Sequence, residues 1–294
     1  MERILTEIPL SAIPGFRVGH AADEAGLTGC TVILAEDDMA AGIDVRGGGP
    51  ASRESELLSP TASCARIHAL LLSGGSAFGL RAADGVMRYL EERGRGFDTG
   101  FARVPLVCAS CLYDLGIGDA GARPDADMAY AACLDAEMPG GADRCGNAGA
   151  GCGCTVGKMN GADCMMKSGI GSYALALGDL YVGAVVAVNA LGDIFDWQTG
   201  QKIAGLLSED KTAFRSFEDV FYRKIEAVEN KFTGNTTIGV VITNAAFTKP
   251  QLCKIAGMAH DGYARSIRPV HTTADGDSIY ALSVGHVNAD QDLE

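Results

Sequence analysis

An α+β layered fold, with β-sheet at the centre, is what this sequence predicts. Apolar runs of strand length recur along the chain, among them Cys30 to Leu34, Ile67 to Leu72 and Ile170 to Leu177. Longer stretches beginning near Ser76 and Thr248 repeat apolar residues at helical spacing. No internal repeat or disordered linker divides the 294 residues, so 1–294 is expected to form a single domain.

The elements follow in order. Cys30-Thr31-Val32-Ile33-Leu34 and Ala41-Gly42-Ile43-Asp44-Val45 are separated by Glu36-Asp37-Asp38, which predicts a hairpin. The second run ends in the glycine loop Arg46-Gly47-Gly48-Gly49-Pro50. Ile67 to Leu72 predicts a strand and Ser73-Gly74-Gly75-Ser76 a tight turn. The helix after it has an apolar face at Leu80, Ala83, Val86, Met87 and Leu90, and a stop at Gly94. Gly74-Gly75-Ser76-Ala77-Phe78-Gly79 falls short of a dinucleotide fingerprint because Ser76 replaces the second glycine. It misses the G-x-S-x-G elbow because Phe78 replaces the last one. Val104-Pro105-Leu106-Val107 reads as a buried strand.

Ile170 to Leu177 and Leu180 to Val188 flank Gly178-Asp179, a hairpin turn pair. The charge-rich stretch 209–231 predicts a solvated helix or mobile connection leading to Gly234-Asn235-Thr236. A strand over Ile238 to Ile242 and a turn at Thr243-Asn244 are expected next. Thr248 is the N-cap of a helix with Pro250 in its first turn and a buried face of Leu252, Ile255, Ala256 and Ala259. Ser278 to Val284 is the last strand.

Composition narrows the function. At 47% hydrophobic and 21% charged residues the chain reads as globular, and a formal charge of −13 argues against nucleic acid as partner. With no signal-peptide pattern at its start and no long apolar run, a cytoplasmic location without membrane contact is expected. Ten cysteines include one C-x-x-C, Cys108 and Cys111, but no second knuckle, so neither metal nor cofactor is expected. The five histidines are scattered and read as structural or surface residues.

Asn235-Thr236-Thr237 stands where a polar run gives way to a strand. A chain cut before Thr236 would carry a hydroxyl nucleophile and a free α-amine on one residue. With a reference pKa near ~8, that amine is partly unprotonated at neutral pH and can act as general base. A loop entering a strand accounts for the same letters. Asp275-Gly276-Asp277 is likewise either a paired-carboxylate site or a turn before the last strand.

Several segments in order resemble one family across nearly the whole chain. They are Val18-Gly19-His20-Ala21, Gly29-Cys30-Thr31-Val32, Asp44-Val45-Arg46-Gly47-Gly48, Gly74 to Leu80, Gly149-Ala150-Gly151, Val185 to Asn189, Asn235-Thr236-Thr237 and Ile267-Arg268-Pro269-Val270-His271. The family is the self-processing L-aminopeptidase/D-esterase group, peptidase family S58, which includes β-peptidyl aminopeptidases and the endo-type 6-aminohexanoate-oligomer (nylon oligomer) hydrolases. The resemblance implies a four-layer αββα sandwich, similar in layering to N-terminal-nucleophile hydrolases but differently connected. It implies cleavage into a large chain, 1–235, and a small chain, 236–294, with assembly as a homotetramer.

Many members cleave at Gly-Ser, whereas Asn235-Thr236 resembles the nylon-oligomer branch. The pattern of that branch implies Thr236 as nucleophile, Asn189 as oxyanion donor, Asp275 and Asp277 as the carboxylates, and a lysine matched best by Lys158, with Lys167 nine residues on. The implied substrates are small peptides or ω-amino-acid oligomers. An acyltransferase of the ornithine acetyltransferase type, which shares a self-exposed threonine, and a non-catalytic ring-forming binding protein remain the alternatives.

Overall fold

Strands in the middle of this chain are apolar on both faces, and that decides the layering. The structure, a computed structural model, describes residues 5–226 and 235–288. Ten strands join one sheet: β1 (Leu5–Ile8), β2 (Phe16–Asp23), β3 (Thr28–Val45), β4 (Ala51–Arg53), β5 (Arg66–Ser73), β6 (Val107–Cys111), β7 (Ile170–Leu177), β8 (Leu180–Ala187), β9 (Ile238–Ala246) and β10 (Ser278–Asn288). Their spatial order is β1-β7-β8-β9-β10-β3-β5-β6-β4, with β2 also beside β3. Only the β9–β10 and β5–β6 pairs of this sheet are parallel. The described helices are α1 (Ala83–Glu92), α2 (Ala126–Asp135), α3 (Phe217–Glu226) and α4 (Lys249–Ser266).

Successive strand residues point to opposite faces, and here each face meets its own partner. Ile33, Leu70 and Leu72 meet Val240, Ile242, Tyr280 and Leu282 in a central core. Their alternate neighbours Val32, Leu34, Leu71 and Val107 pack with Ala83, Val86 and Leu90 of α1 and Ala129 and Ala132 of α2. On the other outer face, Ile279 and Ala281 pack with Leu252 and Ala256 of α4. These three apolar layers make the αββα sandwich, whose two β layers are one hydrogen-bonded sheet folded over through β3. Truncating a fully buried residue such as Leu70 or Leu72 to Ala costs about 2–5 kcal/mol.

The expected hairpin at Glu36-Asp37-Asp38 is not formed: β3 runs unbroken from Thr28 to Val45. Its first half pairs with β2 and its second with β10, while the register against β5 shifts between Leu34 and Met39. The acidic residues sit at this irregularity and are met from outside. Arg66 bonds both the carboxylate and the carbonyl of Asp38, Arg95 takes the carbonyls of Ala35 and Asp37, and Glu36 faces Arg17 at 3.6 Å. No residue there supplies the positive φ that a tight hairpin turn requires.

The turn expected at Thr243-Asn244 is also absent, because β9 continues to Ala246. Asn244 instead caps the neighbouring hairpin, accepting from Tyr181 N at 2.8 Å and donating to Asp179 O at 2.8 Å. The helix expected after Ser76 begins as a 3-10 turn over Ser76–Ala82 and becomes α-helical at Ala83. The hairpin around Gly178-Asp179, the Thr248 cap (its N–H on Gln251 Oε1 at 2.9 Å) and the last strand form where expected. Part of the charge-rich stretch, 227–231, lies outside the described residues, as does Gly234. Cys108 and Cys111 are buried in β6, where burial pushes both thiols up to about 12.

The buried His20 on β2 joins the two strands, its Nδ1 lying 2.9 Å from Thr31 Oγ1 on β3. Burial, then the nearby Arg144, lowers its pKa from 6.5 to about 4. The folded state therefore holds it neutral, while the unfolded chain takes up a proton below pH 6.5. Its contribution is intact above that pH and lost progressively as the pH falls to about 4, by up to roughly 3 kcal/mol. Urea unfolding at pH 7 and pH 4.5 should show a smaller acid loss in His20→Asn than in the parent chain.

Candidate active site

Four adjacent strands, β8, β9, β10 and β3, deliver the candidate residues to one end of the sheet. Asn189 follows β8, Thr236 precedes β9, Asp275-Gly276-Asp277 precedes β10, and the glycine loop 46–49 follows β3. Because β9 and β10 run parallel, the segments that enter them lie side by side, and an isolated parallel bridge pairs Asn235 with Asp275. Lys158 arrives from elsewhere, on a 3-10 turn whose Gly157 and Lys158 N–H groups bond Gly192 O and Leu191 O at 3.0 Å each.

Both polar atoms of the Asn235–Thr236 peptide are held. Its N–H donates to Asn189 O at 3.1 Å, and its carbonyl accepts from Gly276 N–H at 3.0 Å. The Thr236 hydroxyl donates to that same carbonyl. Lys158 Nζ donates to Asn189 Oδ1 at 2.6 Å and to Asn189 O at 3.1 Å, so lysine and threonine share one acceptor. Thr155 N–H also donates to Asn189 Oδ1 at 3.0 Å, and Asn189 Nδ2 donates to Tyr113 O at 2.7 Å. These contacts lock the asparagine's orientation.

The carboxylates are anchored in the same way. Asp277 Oδ1 accepts from Thr237 N–H at 2.8 Å, and its Oδ2 accepts from the His271 backbone and lies 3.0 Å from His271 Nδ1. Asp275 Oδ2 accepts from Thr272 N–H at 2.8 Å and from the Thr272 hydroxyl at 2.6 Å. Burial, then the neighbouring Asp277, raises the pKa of Asp275. Arg46, Gly47 and Gly49 donate backbone N–H groups to Asp277 O and Asp275 O. Glycine is required at 47, since a Cβ there would come within 2.3 Å of Asp277 N and 2.4 Å of Asp275 O.

Thr236, Asn189, Lys158, Asp275 and Asp277 are thus brought together, all buried. Burial lowers the Lys158 pKa to about 7, against the opposing pull of Cys154, Asp275, Asp114 and Asp277. Lys167 does not belong to the group. Its Nζ fills a cage of four oxygens, those of Asn147 Oδ1, Gly151 O, Cys154 O and Ser168 O, at 2.8–3.2 Å. An apolar cavity of about 350 Å³ between α4 and β8–β9, lined by Val186, Val241 and Tyr263 among others, contains none of the five. Among the described residues, no group of three or more His, Cys, Asp or Glu could hold a metal ion.

Sequence reasoning missed several participants. His271, read as structural or surface, holds Asp277, and its membership in the Ile267–His271 segment was the available signal. The glycine loop behind the aspartates had the same signal. Tyr113 and Thr155 act through a backbone carbonyl and a backbone N–H, which no residue type announces.

The αββα sandwich thus buries an Asn-Thr junction beside a lysine, an asparagine and paired carboxylates. The model of peptidase family S58 matches residues 10–294, and the chain belongs to that family. It is a hydrolase of peptide or amide bonds. An uncharacterized aminopeptidase of Mycobacterium leprae is 39% identical, covering 97% of this chain and 82% of that protein. A 6-aminohexanoate-oligomer endohydrolase of Agromyces sp. is 31% identical over 94% of this chain and 74% of its own length. The solved L-aminopeptidase D-Ala-esterase/amidase of Ochrobactrum anthropi, described as a variant of the Ntn hydrolase fold, superposes with a TM-score of 0.67 at 15% identity, covering 97% of this chain and 76% of its own. A Burkholderia sp. beta-aminopeptidase gives 0.66 at 20% identity, over 95% and 75%.

The two lysines should separate on substitution. Lys167→Met leaves its oxygens without a cation and should destabilise by at least about 2 kcal/mol in chemical unfolding. Lys158, with its folded pKa lowered from 10.5 to about 7, takes a proton more readily when unfolded. Stability should therefore rise from pH 7 to pH 9.5, by roughly 3 kcal/mol from this group. In Lys158→Met that rise should shrink, together with a loss of amide hydrolysis.

Proposed function

We propose that the chain cleaves itself between Asn235 and Thr236 and then hydrolyses amide bonds of small peptides or ω-amino-acid oligomers, with Thr236 as nucleophile. The observation that carries this reading is the Thr236 hydroxyl bonded to the carbonyl of the residue before it. In the precursor, Thr236 Oγ attacks that carbonyl carbon, forming an ester by N→O acyl shift that water then hydrolyses. The chain becomes 1–235 and 236–294.

In the mature enzyme the new α-amine lies where the Thr236 N–H lay, 3.1 Å from Asn189 O. It takes the proton of Oγ during attack and returns it to the leaving amine. Lys158 donates to the same Asn189 oxygen, so a positive charge there lowers the amine's pKa, while Asp275 and Asp277 raise it. Asn189 Nδ2 has two hydrogens and spends one on Tyr113 O; the second is the donor for the substrate oxyanion. The ω-amino-acid class is supported by the named endohydrolase relative and by a Thr at the junction. Assembly as a homotetramer, implied by the family resemblance, and a cytoplasmic location, in keeping with ten free cysteines, complete the reading.

Intact mass of purified protein should reveal two chains, the second beginning at Thr236. A lone full-length mass after prolonged incubation would remove the nucleophile and the mechanism together. Thr236→Ala should stay whole and inactive, whereas Thr237→Ala should still be cut.

A further inference from the structure

We propose that the backbone N–H of Gly276 is the oxyanion donor for cleavage of the Asn235–Thr236 bond. This rests on the self-cleaving reading above and assigns a group to its first step. During that step the Thr236 Oγ–C bond forms and the carbonyl π pair moves onto Asn235 O, leaving a negative oxygen. The pair then re-forms the carbonyl as the C–N bond breaks. The proton from the hydroxyl ends on the departing Thr236 nitrogen. Water later adds its OH to the Asn235 carbonyl and its H to Thr236 Oγ, which balances the sequence with no other reactant.

The oxygen that turns negative already has a donor, because Gly276 N–H reaches Asn235 O at 3.0 Å. The Asn189 side chain is anchored on other partners, with its second Nδ2 hydrogen kept for the substrate. Its Oδ1 faces Lys158 and Thr155, and its Nδ2 donates to Tyr113 O. Asn189 meets the scissile peptide through its main-chain oxygen, on the nitrogen side. The two sides of the bond are therefore served by two different main-chain groups.

Position 276 is also constrained by the nucleophile itself. A Cβ on this residue would lie 2.7 Å from Thr236 Oγ1 and 2.8 Å from Gly49 O. Only a bare backbone can hold the carbonyl while leaving the hydroxyl room to add to it. The N–H cannot swing away, since both flanking carboxylates are tied down by His271, Thr272 and Thr237. A donor fixed before the charge develops needs no reorganisation when it does.

The test replaces Gly276 by glycolic acid, which turns its N–H into an ester oxygen and adds no side chain. Release of the 236–294 chain is followed by intact mass against time. Loss of an oxyanion donor slows such steps by about 10²–10³-fold, and that is the slowing expected here. The control is the same ester replacement at Ser278, whose N–H donates to Thr237 O at 3.2 Å on the next rung of the ladder. It should cleave at close to the parent rate. Equal slowing by both esters, parent-rate cleavage by the Gly276 ester, or failure of that ester alone to fold would each overturn the proposal. Absence of cleavage in the parent chain would instead remove the reading beneath it.

Discussion

The parallel pairing of β9 with β10 is the constraint on which this site depends. In a parallel pair both strands begin at the same edge, so whatever precedes one lies beside whatever precedes the other. That brings Thr236 next to Asp275-Gly276-Asp277 although nearly forty residues and a helix separate them. The helix is a consequence of the same choice, because parallel neighbours need a crossover, and α4 supplies it while covering the outer face of the sheet. Antiparallel β8 and β3 then complete the end, one contributing Asn189 and the other the glycine loop behind the aspartates.

Burial gives this arrangement its chemical character. An ammonium in water is an indifferent bystander at neutral pH, but Lys158, withdrawn from solvent, has its pKa lowered to about 7 and sits between protonation states. Asp275 moves the opposite way for the same reason. Both groups remain tolerable because their polar atoms are occupied, Lys158 by Asn189 and Asp275 by Thr272, and the buried Asp277 is held in the same way by His271 and Thr237. Burial also lowers the pKa of Lys167, nine residues on, but its Nζ meets oxygens outside this group and serves as an internal strut.

Much of this was legible from residue pattern. The Gly178-Asp179 hairpin, the Thr248 cap and the helix face through Leu252 and Ala256 follow from local preferences, and local preference is what a sequence displays directly. Family resemblance singled out Thr236, Asn189, Lys158, Asp275 and Asp277 as candidates, and the fold brings these five side by side. What escaped depends on partners distant in sequence. Glu36-Asp37-Asp38 reads as a turn because Arg66 and Arg95, which hold it in a strand, lie far along the chain. Asn244 reads as a turn residue because its real partners, Asp179 and Tyr181, belong to another hairpin. His271 and Gly47 act by contact with Asp277 and Asp275, and only the folded sheet makes those neighbours.

Residues 236–288 hold β9, α4, the short strand Ile267–Arg268 and β10, and they are sewn into the sheet on both sides: β9 bonds β8, and β10 bonds β3. After scission at Asn235, the fold would be a complex of two polypeptides in place of one connected chain. Refolding would then require two molecules to meet, so recovery from denaturation would depend on protein concentration. The central core, shared by Ile33 and Leu70 of one piece and Val240 and Leu282 of the other, would act as a permanent interface. A protein cut in this way would assemble once, as a single chain, and afterwards would persist by the slowness with which its two parts separate.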